Sequence, residues 1–239
     1  MDLVHHLYRL IAGGQLFFAP ISDNPQRVLD LGTGTGIWAM DFAETPPNCS
    51  FEVDDYEDEW LYRRPFDFIH GRELEGCIAN DDKLLERAFQ HLAPGGYIEL
   101  QATSARFTSE DGTHEKATNT TIWLDALFEG AAKFGKPLDI APKWKNKVEA
   151  TGFVDVQERI LKLPVGTWPK DAKLKEVGSL QYYQQLQAVD SYTPGMIARV
   201  LGWSDPEVQV LMAKVKSELK DPTIHLYLPV HFVWGRKPE

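Results

Sequence analysis

Apolar residues along the chain alternate between helical and strand spacing. Leu3, Leu7, Leu10 and Ile11 recur at helical intervals until Gly13-Gly14 ends the pattern, which predicts a helix ahead of the first strand. After a polar lead-in from Pro20 to Pro25, Val28, Leu29 and Leu31 read as a short buried strand. Ile37, Trp38, Met40 and Phe42 then suit the first turns of a helix packing onto a sheet. Phe51 to Asp55 reads as a short strand ending in two acids, and Phe66, Phe68 and Ile69 as another with a polar exit. Asn80 to Leu92 is an amphipathic helix, capped by Asn80 or Asp81, with Leu84, Leu85, Ala88 and Leu92 as its apolar stripe. Ala93 to Gly96 turns the chain into a strand from Tyr97 to Gln101.

The second half is richer in helices. A polar loop over 103–118 leads into a helix over Thr121 to Phe134, with Ile122, Trp123, Ala126 and Leu127 inward. Trp144 to Thr151 is a short helix closed by Gly152, where a C-terminal glycine cap belongs. A strand over Val154 to Val165 is followed by helices over 171–189, 194–201 and 204–219. Ser204 and Glu207 have the spacing of a capping box, and Val208, Leu211, Met212, Val215 and Leu219 form the stripe of the last helix. A closing strand, Ile224 to Trp234, pairs antiparallel with the 154–165 strand at one sheet edge.

The run Arg27 to Gly36, RVLDLGTGTG, carries the chemistry. Glycines at alternate positions, Gly32, Gly34 and Gly36, leave no Cβ in the way of a tight turn or of a ligand lying against the main chain. Strand, glycine turn and helix N-terminus together make a nucleotide-type site at the carboxyl edge of a parallel sheet. The expected fold is therefore α/β: a Rossmann-like, doubly wound, mostly parallel sheet with an antiparallel C-terminal edge strand and helical insertions. The shifted frame Gly34, Gly36, Ala39 satisfies the looser dinucleotide spacing, so spacing leaves an NAD(P)-dependent reductase open. Asp30 argues against it, because a carboxylate beside the loop repels a pyrophosphate and suits a cation. A Tyr-x-x-x-Lys proton donor for reductase chemistry is not evident either.

A hydrophobic fraction of 43% and a charged fraction of 25% are those of a soluble globular protein with a sizeable core. The formal charge of −10 argues against a nucleic-acid partner. No apolar run approaches the roughly 20 residues of a membrane span. The N-terminus lacks a signal-peptide layout, so cytoplasm or nucleus is expected. Cys49 and Cys77 suggest a reducing compartment and read as buried small hydrophobes. No metal-binding spacing occurs, and no oligomeric state follows.

With these segments in place, the chain resembles a group of class I S-adenosylmethionine-dependent methyltransferases, the fungal proteins related to the secondary-metabolism regulator LaeA. The residues that carry the likeness are API and P-x-RVLDLGTGTGIWA, FEVDD-x-EDEW, FDFIHGREL and LAPGGYIELQ, with EATGF and HFVWGRK later on. The resemblance implies S-adenosyl-L-methionine as cofactor, its methionine and ribose part held by Asp30, Gly32, Gly34 and Gly36 with Thr33 between them. It also implies that Asp55 accepts from the adenine amino group, that Tyr56 flanks the adenine, and that Gly71 and Arg72 leave a strand where main-chain groups meet the cofactor. It implies one domain over 1–239, with a helical cover over 1–24, a cofactor core over 25–102, and substrate-side additions over 103–153 and 166–222.

One departure stands out. Relatives of this group carry a second strand ending in an acid between the positions of Glu44 and Thr45, and this chain passes straight from one to the other. The ribose-binding acid is then absent unless Asp54, 18 residues after Gly36, replaces it, and the segment Phe51 to Val53 is expected beside Val28 to Leu31. Glu44 and Thr45 in ordinary contact, about 3.8 Å between Cα atoms, would mark a genuine deletion, which is the expectation here.

Methyl transfer is an in-line displacement, so the protein mainly orients the acceptor and excludes water. A base is needed only if the acceptor must lose a proton. His70, His91, His114, His225, His231, Tyr182 and Tyr183 are candidates, and spacing selects none. The acceptor is a small molecule, such as a secondary metabolite, or a protein. A non-catalytic regulatory scaffold on the same fold is the alternative.

Overall fold

The computed structural model describes residues 2–43 and 49–239. Its elements run α1 (Asp2–Ile11), β1 (Val28–Leu31), α2 (Ile37–Ala43), β2 (Phe66–Arg72), α3 (Asp81–His91), β3 (Leu92–Thr103), α4 (Thr118–Phe134), α5 (Trp144–Thr151), β4 (Val154–Pro164), α6 (Ala172–Thr193), α7 (Asp205–Lys220) and β5 (Tyr227–Arg236). Among the described residues the sheet has the order β1-β2-β3-β5-β4. β1, β2 and β3 are parallel, and β5 runs antiparallel to both β3 and β4. The expected antiparallel pair therefore stands at one edge, with β4 outermost and the C-terminal strand inside it.

Local sequence explains most boundaries. The Asn80 side chain accepts from Lys83 N at 2.9 Å and starts α3. At the start of α7, Glu207 accepts from the Ser204 amide and hydroxyl at 2.9 and 2.6 Å. Gly152, at φ 105°, ends α5. Past α6 the chain winds on as a π-helix over Pro194–Val200. One face of the sheet packs Ile69 and Ile98 against Leu84 and Leu85 of α3 and Trp144 and Val148 of α5. The other face places Phe68 against Trp38 of α2, and Phe232 against Leu7 and Tyr8 of α1. A separate cluster around Trp123, Val189 and Val215 joins α4, α6 and α7.

Three expectations need correction or restriction. Phe51 to Asp55 is not a strand, and among the described residues nothing pairs with the outer edge of β1. Phe51 is drawn onto the glycine loop instead, so close that a Cβ on Gly36 would lie 2.6 Å from its ring. Asp54 Oδ1 accepts from Asp55 N and Asp55 Oδ1 from Glu57 N, both at 2.9 Å, and such local bonds compete with a ladder. Cys77 is exposed and Cys49 only half-buried, so neither is a core residue. Cys77 sits in a turn held open to solvent, its carbonyl taken by Tyr56 and Lys136. The Glu44–Thr45 junction lies outside the described residues.

Candidate functional site

The connection from β1 to α2 is a tight turn built on glycine. Gly32, Gly34 and Gly36 have φ of 63°, 59° and 78°, a region that costs other residues about 1–2 kcal/mol each. Gly36 N donates to Thr33 O at 2.9 Å, and Met40 N to Gly36 O at 2.9 Å begins the helix. A side chain on Gly32 would meet Leu74 at 2.9 Å. Thr33 Oγ1 is buried with no hydrogen-bond partner among the described residues. Asp30, two residues before the loop, has one oxygen 2.7 Å from His70 Nδ1.

A cleft of about 1600 Å³ opens along this loop and the outer edge of β1. Asp30, Gly32, Thr33 and Gly34 line one part of it, and Asp54, Asp55 and Tyr56 another. Seven of the ten residues expected at the cofactor thus meet at one opening. Tyr56 OH donates to Cys77 O at 3.2 Å, and burial, reinforced by Cys77, Glu57 and Asp55, pushes its phenol up. Asp54 and Asp55 are exposed, with only the short local bonds described above.

The other three are not among the lining residues. Gly36 is covered by Phe51. Gly71 is needed by packing, since a Cβ there would lie 2.8 Å from Leu74 and 3.3 Å from Leu100. Arg72 turns towards α1: its guanidinium donates to His5 Nδ1 at 3.1 Å and lies over the Tyr8 ring at 5.4 Å.

α1 is fastened across the carboxyl end of the sheet by polar groups that spacing alone did not single out. Asp2 accepts from Thr35 Oγ1 at 2.7 Å, and His5 Nε2 donates to Asp41 at 3.1 Å. Tyr8 OH donates to Glu73, whose carboxylate also accepts from Thr103 N and Oγ1 at 3.1 and 2.6 Å. Glu73 is one of two non-glycine residues at positive φ among those described, at 55°. Beside it, Glu75 Oε1 is buried without a partner among the described residues, and burial together with the Glu73 charge raises the Glu75 carboxyl well above its usual range. The signal available in the sequence was the acid pair flanking Leu74, directly after a strand.

Most candidate bases are committed elsewhere. His91 bonds Arg87 O and Trp60 O at 2.9 and 3.1 Å, His114 bonds Ser109 at 2.8 Å, His225 pairs with Asp111 and His231 with Glu158. Among the described residues no cluster of His, Cys, Asp and Glu could hold a metal ion.

A family described as "Methyltransferase domain" matches residues 3–158. The chain belongs to that methyltransferase family. Methyltransferase pytC of Aspergillus terreus is 35% identical over 258 aligned positions, which cover all of this chain and 80% of pytC. The secondary metabolism regulator LAE1 of Cochliobolus heterostrophus is 29% identical, covering all of this chain and 86% of its own. The resemblance to the LaeA group therefore stands. Because 258 aligned positions exceed 239 residues, at least 19 residues of pytC have no counterpart in this methyltransferase. Among solved structures, phosphoethanolamine N-methyltransferase 2 of Haemonchus contortus, in complex with S-adenosyl-L-methionine, superposes with a TM-score of 0.51 at 17% identity. The match covers all of this chain and 58% of that one, and shows the shared α/β fold. The reaction class is S-adenosylmethionine-dependent methyl transfer, and the reductase alternative finds no support.

Proposed function

We propose that this methyltransferase holds S-adenosylmethionine in the cleft between the glycine loop and residues 54–56, and passes its methyl group to a secondary metabolite or a protein. The observation that carries the reading is the glycine loop itself. Three left-handed glycines open main-chain groups to a ligand, Thr33 Oγ1 is buried without a partner among the described residues, and Asp30 lines the same cleft. That donor and acceptor set fits an adenosine bearing a cationic amino acid better than it fits a pyrophosphate.

The cofactor supplies an activated methyl group; the protein's own residues bind, orient and exclude water. In this reading Asp30 faces the amino-acid end, Asp54 the ribose, and Asp55 with Tyr56 the adenine. α1 closes the mouth through Asp2, His5 and Tyr8, and the helices over 103–153 and 166–222 form the acceptor side of a single catalytic unit. No helix among the described residues is long and apolar enough to cross a membrane. We assign the protein to cytoplasm or nucleus on its two free cysteines, and expect no nucleic-acid partner on its charge of −10.

Calorimetric titration of the full chain with S-adenosylmethionine and with NADH tests the reading. Saturable heat with the first and none with the second is expected. Binding of NADH, or of neither, would overturn it.

A further inference from the structure

Asp30 and His70 are register partners across β1 and β2, so their side chains stand together on one face of the sheet. His70 is fully buried, and its ring lies flat on Trp38, with centroids 3.7 Å apart and planes 4° apart. Trp38 is itself buried and anchored by its Nε1 donating to Leu16 O at 3.2 Å. The imidazole therefore has one orientation, with Nδ1 held 2.7 Å from Asp30 Oδ1.

The other ring nitrogen fixes the proton. Nε2 is buried with no partner among the described residues, and an unpaired N–H there would cost more than an unpaired lone pair. The proton belongs on Nδ1, where the carboxylate accepts it. The next register partner of His70 is Glu99, which is already engaged. Its oxygens accept from Phe18 N and Ala19 N at 2.7 and 2.6 Å, and from Gln101 Nε2 at 2.8 Å.

Asp30 is thus gripped by one oxygen only. Its side chain is 10% exposed, it lines the cleft, and its Oδ2 takes no hydrogen bond from the described residues. A histidine–carboxylate pair at this depth is a poor stabilising device, since well-packed apolar side chains usually do as well or better. What it does provide is a carboxylate with one oxygen fixed and the other unbonded beside the cleft.

We propose that His70 is a positioning residue for the cofactor: it orients Asp30 so that the free oxygen receives the cofactor's α-amino group. The inference rests on reading the cleft as the cofactor site, and the test separates the two. S-adenosylhomocysteine and its analogue lacking the α-amino group are titrated calorimetrically into the wild type, His70→Phe and His70→Asn. Phenylalanine keeps a ring on Trp38 but has no donor; asparagine loses the ring yet places an N–H near the Nδ1 position.

The wild type should prefer S-adenosylhomocysteine over the analogue. His70→Phe should lose about tenfold in affinity for S-adenosylhomocysteine while binding the analogue like the wild type, and should melt lower because Asp30 Oδ1 loses its donor. His70→Asn should melt lower but keep the preference. A packing role alone predicts the reverse order, with Phe retaining the preference and Asn losing it, and that result would overturn the proposal. Equal losses for both ligands in His70→Phe would also overturn it. A wild type that binds neither ligand would instead refute the cofactor reading.

Discussion

Replacing Asp55 by alanine should remove the protein's ability to distinguish adenine from hypoxanthine. Asp55 is exposed on the cleft, and one of its oxygens already accepts from Glu57 N at 2.9 Å. The remaining oxygen is free to accept from an adenine amino group. A hydrogen bond to a charged acceptor contributes about 1.5–3 kcal/mol, and exposure places this one at the lower end. At about 1.4 kcal/mol per decade, the loss is close to tenfold in Kd. Losing the local bond to Glu57 N adds about 0.5–1.5 kcal/mol to the cost of folding, which thermal melting reads separately. The assay compares S-adenosylhomocysteine with S-inosylhomocysteine, which carries a carbonyl where adenine has its amine. Wild type should prefer the adenosyl ligand, and Asp55→Ala should bind both alike. Asp58→Ala, on the same acidic segment, should behave as wild type. A preference that survives in Asp55→Ala but disappears in Asp58→Ala would mean the adenine pocket is misplaced.

Glu218 accepts from Asn119 N and Thr120 N at 3.0 and 2.7 Å and from both side chains, so it caps α4 from a distant helix. Burial, which opposes its ionisation, is outweighed by these bonds, and its carboxyl is held below the usual range. That contribution is present above the unfolded value near 4.3 and fades as pH falls through the folded one; Glu218→Ala should lower stability by about 1–3 kcal/mol at pH 7, and a pH-independent difference down to pH 2 would refute it. Burial, opposed by the Asp41 hydrogen bond and helped by the Arg72 charge, holds His5 below the ordinary histidine range. Its contribution is therefore present above pH about 6.5 and lost at lower pH, so His5→Asn should flatten the melting-temperature profile below that point. Gly71→Ala should destabilise by about 1–3 kcal/mol in chemical denaturation, because Leu74 and Leu100 leave no room; unchanged stability would show that the two leucines yield freely.

The parts of this protein that local chemistry decides were readable from the chain. Asn80, Gly152 and the Ser204–Glu207 pair mark helix ends by hydrogen bonds made within a few residues, and they do so in the structure. The glycine loop is likewise a local matter of φ. Pairing across the sheet is not local. Asp30 and His70 lie 40 residues apart, and only the β1–β2 register shows that they touch. The same limit hid Tyr8 from Glu73 and His5 from Arg72, whose contacts depend on how α1 lies across the sheet. FEVDD misled because alternating Phe and Val suit a strand, while Asp54 and Asp55, which follow them, bond to the local backbone instead of leaving it for a ladder.

The central claim is that the glycine loop forms the floor of the cofactor site, and Gly34 tests it most directly. At φ 59°, Gly34→Val costs about 1–2 kcal/mol in backbone strain and puts a branched side chain where the ligand should lie. For a chain of this length that corresponds to a melting temperature about 2–8 °C lower, with the fold retained. Titrated with S-adenosylhomocysteine, the wild type should give saturable one-to-one heat and folded Gly34→Val none. Equal heats from the two proteins would contradict the account.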